Sequence, residues 1–151
     1  MDARRKQPPQ VLRAIELAYI AGVIDGEGTI GIYRLGSTGY YQMKVCISNC
    51  SRPLLEWIRE RVGGALVRVA KPTPKKREAW QLVISQYQAA PLLLKCRGYL
   101  QVKRPQADLA LRYMEEYEPT SGRGSPTEQQ VARRRWYWDE TRRLNRRGPR
   151  E

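Results

Sequence analysis

Residues 20–28 read IAGVIDGEG, and they mark the boundary between a predicted helix and a predicted strand. From Val11 onward, apolar residues recur at spacings of three and four, which predicts a helix. The segment 25–28, Asp-Gly-Glu-Gly, contains two glycines, which predicts that the helix stops there. Residues 29–34 then alternate between two faces, as a strand with one buried face does. The acidic, glycine-containing segment therefore joins the first helix directly to the first strand.

The patterns on either side of this segment predict the order helix, hairpin, helix, hairpin, helix, helix and an appended helix. Further strands are predicted at 40–48, 65–70 and 78–85, and further helices at 51–62, 87–97, 105–117 and 127–147. Four antiparallel strands with helices on one face make an α+β domain of αββαββα order, with an extra C-terminal helix. We therefore divide the chain into a polar lead-in, one domain, a linker and a basic helix with its tail, at 1–10, 11–117, 118–126 and 127–151.

The chain is strongly basic, with 28 Lys and Arg against 15 Asp and Glu and a formal net charge of +13. This charge predicts a polyanionic partner. The chain has no His, which excludes Ser-His and Cys-His triads, His-based zinc sites and His-dependent nucleases. Its three Cys are too few for a disulfide scaffold, and no apolar run approaches the roughly 18 residues of a membrane span. We expect a soluble protein that does not bind membranes, cytoplasmic and nucleoid-associated in a prokaryote or organellar if organelle-encoded.

The segment 20–28 resembles the LAGLIDADG motif of the homing endonuclease family. Five of its nine positions are identical, and the other four are Ile for Leu, Val for Leu, Gly for Ala and Glu for Asp. The αββαββα order that surrounds the motif is also that of the family, and segments 63–67 and 99–107 look like family landmarks. The resemblance covers about residues 11–117.

This resemblance implies a site-specific endonuclease that cuts double-stranded DNA at a long pseudo-palindromic site and leaves short 3′ overhangs. It further implies an intron-encoded gene, a requirement for Mg²⁺ with Mn²⁺ as a substitute, and a homodimer, because the chain holds one motif. The dimer would form through the motif helices, with Ala21, Gly22 and Asp25 at the interface. Metal would be bound by the Glu27 carboxylate and the Gly26 backbone carbonyl.

Elementary electrostatics supports a cation near Glu27. The C-terminal end of a helix already carries partial negative charge, so two acids there, Asp25 and Glu27, are unfavourable without a cation. A divalent ion with oxygen ligands would relieve this repulsion. Two alternatives stay open: the small pair Ala21–Gly22 can also serve a helix packed inside its own subunit, and Asp25 can act by capping or hydrogen bonding.

Two further catalytic residues follow from the resemblance alone. Asn49 matches the position whose side chain orients the attacking water, and Lys103 matches a Lys that stabilises charge near the scissile phosphate. Each has an alternative. Asn49 also suits the cap of the turn before the helix that Ser51 opens, and Lys103 also suits a solvated phosphate contact.

The face of the predicted sheet that lies opposite the helices should contact DNA. Its residues and those of the basic hairpin tip are types that contact bases and phosphates. They are Thr29, Tyr33, Arg34, Tyr40, Gln42, Lys44, Cys46, Arg68, Lys71, Lys75, Lys76, Arg77 and Gln81. The hairpin tip can alternatively be only solvated. The aromatic run Trp136-Tyr137-Trp138 in the last helix is expected to anchor that helix rather than stack on bases.

Other functions remain compatible with the sequence. An intron maturase, or a catalytically silent nucleic-acid-binding protein, would use the same scaffold. A basic ribosome- or RNA-associated protein would need no catalytic residues. The presence of Asp25, Glu27 and Lys103 together favours the nuclease.

Overall fold

The structure, a computed structural model, describes residues 11–36, 39–120 and 124–146. The predicted lead-in at 1–10, the middle of the predicted linker and the end of the tail lie outside the described residues. The helices are α1 (Ala14–Glu27), α2 (Arg52–Val62), α3 (Gln86–Cys96), α4 (Arg104–Glu115) and α5 (Glu128–Asn145), with a 3₁₀ turn at Arg97–Tyr99. The strands are β1 (Gly28–Leu35), β2 (Tyr40–Asn49), β3 (Ala65–Ala70) and β4 (Ala79–Ser85). The predicted element order is confirmed.

The four strands form one antiparallel sheet in the order β1-β2-β4-β3. Alternate residues of three strands are buried, among them Ile30 and Ile32 of β1, Val45 and Ile47 of β2, and Leu82 and Ile84 of β4. Because side chains alternate along a strand, all of these point to the same side of the sheet. Helices α1 to α4 pack on that side and complete the core, which confirms the predicted α+β architecture.

Helix α1 ends inside the segment 25–28, where the sequence predicts its stop. It passes through Gly26 and ends at Glu27. A glycine inside a helix costs roughly 1 kcal/mol relative to alanine. The full burial of Ile20, Ala21 and Ile24 against the core offsets that cost, because it fixes the last turns of the helix in place. The motif acids therefore lie within a helical turn.

Helix α5 lies along the free edge of β1. The Asn145 side-chain amide donates to the Ile30 carbonyl at 2.9 Å, and the Ile32 amide donates to the Thr141 hydroxyl at 3.4 Å. Tyr137 is buried, with its ring edge-on to that of Tyr113 at 5.4 Å between centroids. The prediction that this aromatic run anchors the helix is confirmed for Tyr137. The neighbouring Trp138 also packs against the core, whereas Trp136 is 47% exposed.

No helix in the described part of the chain combines the length and the apolarity that crossing a membrane requires.

Candidate functional site

The end of α1 and the entry to α4 meet at a set of hydrogen bonds that we call the helix junction, made of residues 24–28 and 101–103. The Asp25 carboxylate accepts three backbone N–H groups in a row, from Gln101 at 2.7 Å, Val102 at 3.2 Å and Lys103 at 2.9 Å. Asp25 thus fixes the segment that leads into α4, which is the hydrogen-bonding role left open by the sequence.

The same hydrogen bonds control the acidity of Asp25. Burial alone would raise the pKa of this carboxyl, but the bonds from the three amides, with the nearby Lys103 ammonium, outweigh it and lower the pKa below the usual 3.8. Each bond is made to the charged form, which it therefore stabilises. Asp25 is an anion at neutral pH and is already fully engaged within its own chain.

The Lys103 side chain links the entry to α4 back to the end of α1. Its ammonium group donates to the carbonyl oxygens of Ile24, at 3.0 Å, and of Asp25, both in the last turn of α1. A positive charge at a helix C-terminus is favourable because the last carbonyls carry partial negative charge. The Lys103 ammonium therefore supplies part of the positive charge that the two acids at this helix end were expected to need.

Glu27 is the residue of the junction that this network leaves free. It is the last residue of α1, it is exposed, and within the described residues its carboxylate forms no hydrogen bond or ion pair. Gly28 follows at once as the start of β1, where a Cβ would lie 2.8 Å from the Ile24 carbonyl oxygen. Only glycine fits there, so the turn from helix to strand is tight and the Glu27 side chain is held at the surface.

The donors at this helix end fit a hard divalent cation only in part. One carboxylate and the Gly26 carbonyl oxygen are the right ligand type, but Mg²⁺ takes six oxygens. The described residues contain no cluster of three or more His, Cys, Asp or Glu that could hold a metal within one chain. A metal at Glu27 therefore requires further oxygens beyond those of the described acids, such as oxygens of a second copy, a phosphate or water.

Asn49, at the end of β2, is engaged in the turn that follows. Its side-chain oxygen accepts the Ser51 amide at 2.7 Å, and Ser51 in turn accepts the Leu54 amide at the start of α2. The structure thus shows the turn-capping role that the sequence offered as the alternative. The role in orienting water stays a prediction.

The three residues predicted at a dimer interface have different environments. Ala21 is fully buried in the core of its own chain, so it offers no surface to a second copy and this prediction is wrong. Gly22 is exposed, and a Cβ there would meet no atom within 4 Å. It lies on an exposed apolar side of α1 with Ile15, which is 72% exposed, and Tyr19, which is 53% exposed. Sequence spacing alone did not separate the buried from the exposed small residue.

The side of the sheet opposite the helices is the open face. By strand register it carries Thr29, Gly31, Tyr33, Leu35, Tyr40, Gln42, Lys44, Cys46, Ser48, Ala65, Val67, Ala70, Ala79, Gln81, Val83 and Ser85. Among these strand residues Lys44 alone is charged. The predicted contact residues Thr29, Tyr33, Tyr40, Gln42, Lys44, Cys46 and Gln81 all lie here.

Two predicted contact residues lie on the other side of the sheet. Arg68 is paired with Trp80, next to the core pair Leu66 and Leu82, and it forms an ion pair with Glu78 at 3.0 Å. Arg34 alternates with Ile32 and donates to the Gly36 carbonyl at 2.9 Å. The placement of Arg68 on the open face is wrong, because a side chain two residues from a core residue shares its face. Contact of Arg34 with DNA stays a prediction.

Tyr33 forms a small aromatic centre on the open face. A Cβ on Gly31 would lie 2.9 Å from the Thr141 methyl of α5 and 3.3 Å from the Tyr33 ring, so the absence of a side chain at Gly31 makes room for both. The Lys44 ammonium lies 5.7 Å from the ring centroid. Burial, with the neighbouring Cys46, raises the pKa of Tyr33 to about 12, and burial raises the pKa of the Cys46 thiol as well. Both groups are therefore neutral hydrogen-bonding groups at physiological pH.

The basic tip between β3 and β4 has a defined shape. Thr73 and Lys76 exchange backbone hydrogen bonds across a tight turn, and the Thr73 hydroxyl accepts the Lys76 amide at 3.0 Å. Lys71, Lys75, Lys76 and Arg77 are all exposed around this turn. The predicted phosphate-contacting loop therefore presents its cations at the end of the β3–β4 hairpin.

Sequence reasoning placed Ala79 and Val83 of β4 on the open face but missed the apolar residues that β3 adds beside them. Val67 and Val83 face outward there, with Ala65, Ala70 and Ala79. The available signal was Leu66, whose apolar side chain on the core side implies that its neighbours at 65 and 67 face the other way.

Comparisons with known proteins establish the fold. No protein-family model and no curated protein matches the chain. Among solved structures, the homing endonuclease I-CvuI in complex with the I-CreI DNA target superposes with a TM-score of 0.69 at 18% identity, covering 91% of this chain and 86% of that one. The archaeal intron-encoded homing endonuclease I-Vdi141I, complexed with DNA, gives 0.66 at 16% identity, with coverage of 91% and 88%.

A third similar structure differs in length. The LAGLIDADG homing endonuclease I-GzeII, in complex with its DNA target, matches 97% of this chain but only 49% of its own, with a TM-score of 0.60 at 16% identity. The chain described here thus has the LAGLIDADG homing endonuclease fold and spans about half the length of I-GzeII. The resemblance drawn from residues 20–28 is confirmed at the level of the fold.

Proposed function

We propose that this protein is a site-specific, metal-dependent endonuclease for double-stranded DNA that acts as a homodimer. The observation that carries the proposal is the exposed Glu27 carboxylate at the end of α1, which lies directly before the first strand of the open face. The sequence motif, the fold shared with DNA-bound homing endonucleases and the net charge of +13 support the same conclusion. An intron-encoded origin remains part of the proposal, as for I-Vdi141I.

The exposed side of α1 supports the homodimer. This helix is apolar on its outer side as well as on its core side, and a helix that is apolar all round is normally buried on both sides. Gly22 and Gly26 have open space where a side chain would be, so a second α1 can approach the backbone closely. A two-fold axis beside these glycines brings two copies of Glu27 towards each other. The double length of I-GzeII fits a fold that works in pairs.

Each residue at or near the junction would have a different role in cleavage. Glu27 and the Gly26 carbonyl of each copy would hold a divalent cation, with Mg²⁺ the expected metal and Mn²⁺ a substitute. A cation bound there would stabilise the negative charge that develops on the phosphate under attack. Lys103 adds fixed positive charge at the same helix end, and Asn49 would orient a water through its amide. Asp25 holds Lys103 and the α4 entry in position.

Cleavage of a selected duplex tests the proposal. A random duplex library is passed over the full-length protein in metal-free buffer, and the recovered sequences are then incubated with the protein and Mg²⁺. We expect cuts in both strands at one position, with no cutting in EDTA and cutting restored by Mn²⁺. Binding without cutting under any of these metals would favour the silent binder instead, and failure to recover any duplex would reject DNA as the partner.

A further inference from the structure

The open face is divided into a polar part and an apolar part. The β1–β2 hairpin contributes Tyr33, Gln42 and Lys44, whereas β3 and the facing side of β4 contribute Ala65, Val67, Ala70, Ala79 and Val83. Gln81 and Ser85 are the polar residues on the facing side of β4, and the Gln81 amide donates to the Ser48 hydroxyl at 3.0 Å. We call these five alanines and valines the apolar strip.

The surroundings of the apolar strip point to nucleic acid rather than to a protein partner. Val67 is 48% exposed, and no described helix covers it. The strand that carries it leads directly into the tip with Lys71, Lys75, Lys76 and Arg77. In a DNA groove, phosphates flank the base edges. The cations of the tip could contact the phosphates while the uncharged strip contacts the base edges.

The chemistry of the strip selects one base-edge group. In the major groove every base pair presents hydrogen-bonding groups, and only thymine also presents a methyl group. Valine and alanine side chains form no hydrogen bonds. When they displace water from a donor or acceptor of a base, that group is buried without a partner, which is unfavourable. Against a thymine methyl the same contact buries apolar surface on both sides and is favourable.

We propose that the apolar strip makes the protein read thymine methyl groups, so that each half-site contains A·T pairs with their methyls under Val67 and Val83. This inference rests on the proposed function and specifies its substrate. It also favours DNA over RNA, because uracil lacks the methyl group and the deep, narrow major groove of A-form RNA is closed to side chains.

Replacing thymine by deoxyuridine tests the inference, since only the methyl group is removed. With a duplex selected as described above, we expect a short run of thymines in each half-site at which the replacement weakens binding about threefold to fivefold, the effect of one buried methyl group. Other thymines should tolerate it. Selected half-sites with G·C pairs throughout, or a duplex that binds and is cut equally well with uracil at every position, would overturn the inference and leave the proposed function intact.

A variant of the protein connects the effect to the strip. Val67→Thr keeps the shape and the strand preference but exchanges a methyl group for a hydroxyl. We expect it to remove the sensitivity to uracil at one position per half-site and to keep it elsewhere. Leu94→Thr is the matched control, because Leu94 is 66% exposed on α3, which packs on the other side of the sheet. Unchanged sensitivity in Val67→Thr would contradict the assignment. Failure of the wild-type protein to bind any duplex would instead reject the proposed function.

Discussion

The helix junction and the open face differ in how many of their polar groups already form hydrogen bonds within the chain. At the junction, Asp25 accepts three amides and Lys103 donates to two carbonyls, so that one carboxylate, Glu27, is left free. On the open face, Gln42 and Lys44 project from the side of the sheet opposite α1 to α4 and stay partly exposed. The geometry of the junction is thus set within the chain, whereas the open face keeps polar groups for a partner. If the proposed function is correct, chemistry and recognition are separated along the chain, and substitutions should separate them too.

The sharpest test of this separation is Glu27→Gln, which keeps the size and the hydrogen bonding of the side chain but removes its charge. We expect cleavage to fall about a thousandfold or more, because the ligand for the metal is lost, while binding stays equal or improves slightly in metal-free buffer. A gel shift and a cleavage assay on one duplex measure both. Glu60→Gln, an exposed glutamate on α2, is the control. Full cleavage by Glu27→Gln would remove the active site from the junction.

Gly22→Leu tests whether the two halves of a site are read by two copies. Since a Cβ at Gly22 meets nothing in its own chain, the fold should tolerate the change, but two helices could no longer approach there. We expect a monomer by light scattering and a loss of more than about a hundredfold in affinity for the full site. Gly98→Leu has equal space and is the control. A wild-type monomer that binds and cuts DNA would contradict the homodimer.

Asp25→Ala tests whether the junction is built before DNA binds. Three amides lose their acceptor, which should reduce the free energy of unfolding by about 1–3 kcal/mol in urea denaturation. Because the folded-state pKa of Asp25 is lowered, its contribution is complete above about pH 4 and is lost as the pH falls through that pKa. The variant should therefore lose less stability than wild type on acidification. Asp139→Ala on α5 is the control, and equal acid sensitivity would show that Asp25 does not contribute.

The double variant Lys75→Gln, Lys76→Gln tests the contacts with phosphates, which contribute to DNA binding independently of base sequence. If these residues contact phosphates, affinity should fall alike for all duplexes, and the slope of log affinity against log salt should decrease by about 0.9 per lost contact. Lys95→Gln on α3, away from the open face, should leave the slope unchanged. A loss confined to particular base sequences would mean that the hairpin tip reads bases.

Gln81→Ala should have the smallest effect and the most local one. Its amide is held by Ser48, so the Gln81 oxygen is oriented as an acceptor for a base edge. We expect a loss of about fivefold or more at one base pair per half-site and little elsewhere. A panel of single mismatches measures this, with Gln129→Ala on α5 as the control. A uniform loss over the panel would place Gln81 among the phosphate contacts.

Much of the architecture could be predicted because it depends on local patterns. The alternation in β2 and β4 fixed which of their residues face the core, and Ser51 with Pro53 marked the start of α2. Predictions failed where a longer-range contact decided. Core packing decides that the buried side of α1 takes Ala21 but not Gly22. The face of Arg68 follows from the core position of Leu66 two residues earlier, which charge and composition do not reveal.

The position of α5 has a practical consequence for anyone who shortens this chain. The side chains of Thr141 and Asn145 occupy backbone groups of β1 that a fifth strand would otherwise use. A version truncated before α5 would keep every residue of the helix junction and of the open face. It would, however, expose the edge of β1, whose backbone groups could then pair with another strand. Such edges recruit strands from other molecules. A minimal version of the protein should therefore fail first by aggregating, and a fusion partner is better attached to an intact α5 than in its place.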